Sequence, residues 1–166
     1  MEGIDTRSPY IAVVGAGACS PEVEELAAEV GREVARKGAV LVCGGLKGVM
    51  EAAARGAKEI GGVTVGILPG ADTGDANEFI DIPIATNMGQ ARNAIIVQTA
   101  DVLISISGGY GTLSEIAFAL KLGKGVIALQ PQYQIPGLLV VQSAIDAVNE
   151  ALTLIELGRK SPKIII

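Results

Sequence analysis

The sequence contains no histidine, and that single absence removes several chemistries. No Ser-His-Asp triad, Cys-His dyad or histidine-ligated metal site can be built from this chain alone. Tryptophan is missing too, and three Tyr with two Phe are all the aromatics, so Ala, Val, Ile and Leu must fill the core. Small aliphatic side chains suit helices lying close against a parallel sheet. Two cysteines, Cys19 and Cys43, read as reduced thiols packed beside loops, with a redox pair or a ligand role as the alternative. No apolar run approaches the roughly 18 residues of a membrane helix. The opening MEGIDTRSPY has no apolar signal core, so a cytoplasmic protein without a membrane partner is expected. Positive charge is scarce as well: 13 Lys and Arg face 18 acids, a net of −5. Neutralising many phosphates requires a basic face, so no nucleic-acid partner is expected.

What is present is a well-cored chain of 166 residues, 49% hydrophobic and 19% charged. That length predicts one domain spanning residues 1–166. The pattern alternates strand-like and helix-like segments. Tyr10–Val14 is a continuous apolar run that reads as a buried strand, followed by GAGACSP. Ser20 and Pro21 then mark a helix start, and Lys37-Gly38 its end. Further strands are expected at 39–43, 63–68, 79–85, 101–106 and 126–129, with Pro83 suggesting an edge position. Helices are expected at about 49–60 and 90–99, from an opening at Gly108–Thr112 to about Leu122, and at 138–157, and the KIII tail is left unassigned. Buried strands alternating with helices predict a doubly wound, Rossmann-like α/β fold, with one parallel sheet and helices on both faces. Ligands in such sheets bind at the carboxyl ends of the strands.

The 22 glycines concentrate near strand ends. Gly15 with Gly17, Gly44 and Gly45 with Gly48, Gly66 with Gly70, and Gly108 and Gly109 with Gly111 form four clusters. Backbone without side chains lets several N–H groups approach phosphate oxygens, and a following helix adds the positive end of its dipole. A small phosphorylated ligand is therefore the expected partner, since it needs only one or two local cations. Lys47, between Gly45 and Gly48, is one candidate phosphate contact; Thr112 is another, or else a helix cap. Neither a dinucleotide fingerprint nor a GxxxxGK[ST] loop is complete. Ser20 stands where the third fingerprint glycine belongs, and Cys43-Gly44 replaces the ribose-binding acid. Arg92 opens one helix and Glu115 lies just inside another, so a cation and a carboxylate can converge on one pocket. The alternative is that the two merely pair with each other.

The stretch Ser107–Glu115, SGGYGTLSE, resembles the PGGxGTxxE motif of the LOG family within the SLOG superfamily. The resemblance extends to Met88, Arg92 and the GGLKGVM run at 44–50, and covers nearly the whole chain. It implies release of a base from a nucleoside 5′-monophosphate, with Arg92 and Glu115 catalytic and no metal or other cofactor required. Three positions depart from the family pattern: Ser107 replaces its proline, Asn93 its lysine and Ser114 its first acid. These variants are closer to the molybdenum-cofactor carrier branch, which implies the alternative of a non-catalytic carrier for a bound nucleotide or pterin phosphate. The older lysine decarboxylase label of the family is rejected, because nothing marks a Schiff-base lysine with a pyridoxal pocket. Related proteins imply a homo-oligomer, a dimer or a tetramer.

Overall fold

A computed structural model describes residues 7–160. The seven strands described are β1 Tyr10–Gly15, β2 Val40–Cys43, β3 Thr64–Leu68, β4 Ile82–Ala85, β5 Val102–Ile106, β6 Val126–Leu129 and β7 Leu138–Val141. The α-helices are α1 Pro21–Arg36, α2 Val49–Glu59, α3 Asn93–Thr99, α4 Tyr110–Lys121 and α5 Ala144–Lys160. All seven strands form one parallel sheet in the order β4-β3-β2-β1-β5-β6-β7. Winding runs outward from β1 in both directions, so the topology reverses between β1 and β5. In their register Val14 lies opposite Ser105 and Gly15 opposite Ile106, which opens their two loops side by side.

Alternation along β1 sorts the core into two layers. Ile11 and Val13 pack with Val30 of α1, Ala53 of α2 and Val148 of α5. Ala12 and Val14 pack on the other face with Ile96 and Val97 of α3 and Ile116 of α4. Helices therefore cover both faces, as the apolar strand runs require. The α1 start is built as its residues dictate: the Val23 amide donates to Ser20 Oγ at 3.3 Å, and Pro21 takes the first helical position.

Pro83 does lie on an edge strand, β4, although that strand is shorter than the 79–85 run suggested. The segment expected to open the last helix is instead β7, the other sheet edge. Its residues LLVV have no helical stripe, and Ser143 caps the helix that follows. Ser143 Oγ accepts from the Asp146 amide at 3.1 Å, and Ser-x-x-Asp was a legible start signal. Ahead of α3 the chain makes a 3-10 turn at Gly89–Arg92 where a continuous helix was expected. The KIII tail lies outside the described residues. Among the described residues no helix is long and apolar enough to cross a membrane.

Candidate functional site

The loops after β1 and β2 close over the sheet where its topology reverses, the general place for ligands in this architecture. They are tied together: the Val49 amide donates to Ala16 O at 3.0 Å. Gly48 permits that approach, because a Cβ there would stand 2.3 Å from Ala16 O at a φ of 69°. Buried Asn77 holds the second loop from behind, donating from Nδ2 to Leu46 O at 2.7 Å and from its amide to Gly45 O at 2.9 Å. A cavity of about 230 Å³ results, lined by Gly15, Gly17 and Gly44 from the loops and by Gly111 from the first turn of α4. The first amides of a helix have no partner within it, so α4 presents free donors and its positive dipole end here.

Arg92 and Glu115 line the same cavity. Arg92 comes from the 3-10 turn before α3 and is only 8% exposed. Its guanidinium lies across Gly44, with Nη1 2.0 Å from where a Cβ would be, so any larger residue at 44 would displace it. Its Nε is buried without a hydrogen-bond partner. Burial lowers the Arg92 pKa, a pull that Glu115 and Cys43 oppose. Glu115, on the second turn of α4, is 7% exposed. Desolvation pushes its pKa from 4.5 up to about 7, against the lowering field of Arg92. Neither an ion pair nor a hydrogen bond joins the two side chains; they interact through space. The geometry therefore differs from the alternative of simple mutual pairing: both side chains face the cavity without a direct contact. Beneath them the Cys43 thiol, fully buried and accepting from the Gly45 amide at 3.4 Å, is pushed up to about 11 by desolvation. It stays neutral and is no nucleophile.

The other expected contacts divide. Gly45, at a φ of 74°, faces Leu68 and Gly66 behind the loop. Lys47 points away, 75% exposed and paired with Glu51 at 3.2 Å. Thr112 is buried under Gly108 and makes no cap bond; Gly109 is the N-cap residue of α4. Neither Gly108 nor Gly109 lines the cavity, although both shape the turn that aims α4. Tyr110 is 84% exposed at the rim and stacks on Tyr133 at 6.3 Å. Ser107 sits at a φ of 50°, its amide donating to Leu129 O at 2.9 Å. A proline, locked near −65° and lacking that N–H, could not stand there, so the departure from PGG reflects a different backbone path. Sequence reasoning missed Leu46, Met50 and Gln90 as lining residues. Gln90 stands three residues before Asn93, which was a usable signal for a shared face.

Fold and site together define a Rossmann-type α/β protein whose glycine loops, one arginine and one carboxyl meet at the switch point of a parallel sheet. The chain belongs to the SLOG cluster4 family, whose model matches residues 8–156. It is 52% identical over 143 residues to a protein of Archaeoglobus fulgidus, covering 86% of this chain and 94% of that one. It is 40% identical over 103 residues to the cytokinin riboside 5′-monophosphate phosphoribohydrolase of Mycobacterium tuberculosis, covering 57% of this chain; the match spans about half, 52%, of that enzyme. Among solved structures, the molybdenum cofactor binding protein of Rippkaea orientalis superposes with a TM-score of 0.86 at 36% identity, covering 91% of this chain and 99% of that one.

Proposed function

We propose that this protein binds a small phosphorylated, nucleotide-like ligand and hydrolyses the N-glycosidic bond of a nucleoside 5′-monophosphate. The observation that carries the reading is the Arg92–Glu115 arrangement: two buried groups of opposite type on one cavity, without direct contact, leaving room for a ligand between them. The glycine-loop backbone and the α4 amides suit a 5′-phosphate, and Arg92, which lines the same cavity, brings a positive charge to that ligand. A carboxyl with a pKa of about 7 is poised for acid–base work near neutral pH. In its ionised form Glu115 stabilises the positive charge that develops at the anomeric carbon and accepts a proton from the attacking water. The bond from that carbon to the base nitrogen breaks, the water oxygen takes its place, and the base departs with a proton. No metal enters these steps.

A second reading, carriage of a pterin phosphate without chemistry, has its own support. The Rippkaea protein matches nearly end to end, whereas the phosphoribohydrolase match spans half of that enzyme. Ser107, Asn93 and Ser114 also depart from the hydrolase motif, and the φ at Ser107 makes one departure a change of backbone. Release of free base from a panel of nucleoside 5′-monophosphates, followed by chromatography, separates the two. Hydrolysis predicts release by the parent protein and a loss of about a hundredfold or more in Glu115→Gln. Binding of the same nucleotides with no release would sink the hydrolase reading and leave the carrier.

A further inference from the structure

The cavity of Arg92 has a neighbour. A second hollow of about 210 Å³ lies between α3 and α4, lined by Ala94, Ser114 and Phe118 and sharing Gln90, Asn93 and Glu115 with the first. The two differ in character. The first is walled by glycine backbone and the guanidinium; the second is mostly carbon, with an aromatic ring on one side. At about 210 and 230 Å³, each falls below the roughly 300 Å³ at which ligand pockets begin, but joined they fall within the usual range. On the shared wall, the Gln90 and Asn93 carboxamides have no hydrogen-bond partner among the described residues. A carboxamide offers a donor and an acceptor side by side, the complement of an amide-like edge on a nitrogen heterocycle.

We propose that the second hollow holds the flat nitrogen heterocycle of the ligand whose phosphate occupies the glycine loops, with Phe118 beside the ring and the Gln90 and Asn93 amides reading its edge. This inference rests on the phosphate-site reading of the first cavity. It places Glu115 on the partition, beside the link between the ring and the phosphate-bearing arm. A ring-bearing nucleotide and a pterin phosphate share this chemistry, and the probes separate them.

The test uses calorimetric titration of the full chain with guanosine 5′-monophosphate, a 6-hydroxymethylpterin phosphate and ribose 5-phosphate, which has a phosphate but no ring. Ala94→Phe fills the second hollow from an exposed position on α3, and its melting temperature reports whether it folds. The expected result is loss of about tenfold or more in affinity for whichever ring-bearing probe binds the parent, with ribose 5-phosphate affinity held within about twofold. The tighter of the two ring-bearing probes identifies the source of the ring. Equal losses for ribose 5-phosphate, or undiminished binding of the ring-bearing probe, overturn the inference and leave the phosphate site standing. Failure of all three probes to bind the parent overturns the phosphate-site reading and this inference with it.

Discussion

Glu115 lies where burial favours its neutral form. Its folded pKa of about 7, against 4.5 for the free side chain, means that the folded protein holds the proton more tightly than the unfolded one. The sign follows: this contribution to stability is fully present below the unfolded value and is lost as pH rises through the folded one. The shift corresponds to on the order of 3 kcal/mol. Glu115→Gln, neutral at every pH, is expected to flatten the fall in unfolding free energy between pH 4.5 and about pH 7, and to leave the ligand-free protein more stable at the alkaline end. Urea denaturation at several pH values checks this, and parallel pH profiles for the two proteins would remove the raised pKa. Of the expected site residues, Arg92 and Glu115 were legible because a cation and a carboxyl beside glycine loops are unusual enough to notice. Lys47 was equally noticeable, yet its side chain reaches Glu51, one helical turn on, and leaves the cavity.

At the scale of elements, the pairing of α1 with α2 is set by two glycines facing each other's helix. A Cβ on Gly31 would lie 1.9 Å from Ala53 O, and one on Gly56 would lie 1.9 Å from Ala28 O. Both obstacles are backbone, so neither can rotate aside. Gly→Ala in a helix normally gains about 1 kcal/mol, while forced overpacking costs roughly 1–3 kcal/mol. Gly31→Ala is therefore expected to destabilise by up to about 2 kcal/mol net, whereas Gly158→Ala in α5, where a Cβ meets nothing within 4 Å, should stabilise by up to about 1 kcal/mol. Denaturation midpoints of the pair make the comparison, and a gain at both positions would contradict the close approach. The close packing also bears on the site, because α2 begins at Val49, whose amide locks the first two loops together. Helices and strands with strong apolar periodicity were readable one by one. The exception, β7, was absorbed into a helix because four apolar residues run straight into the α5 pattern, and only the Ser143 cap separates them.

At the scale of the molecule, a ligand held by loops from β1 and β2 and by α4 must couple those segments to global stability. A free concentration about a hundredfold above Kd adds about 2.7 kcal/mol, or roughly 5–10 °C in Tm for a domain of this size. That rise is expected with a bound nucleoside 5′-monophosphate and absent in Arg92→Ala, read by calorimetry; equal shifts in both proteins would place the phosphate elsewhere. The sequence by itself determined the class of fold, since buried apolar runs spaced by helical stripes leave little but a wound parallel sheet. It also pointed to the strand ends as the place to look, and Gly15, Gly17, Gly44 and Gly111 do line the cavity there. Only the tertiary structure decided strand order, and with it which two loops face each other at the reversal. It decided too that Arg92 is buried over Gly44, that burial raises the Glu115 pKa, and that Lys47 turns outward. Those outcomes depend on burial and through-space fields between segments far apart in the chain, which local spacing does not encode.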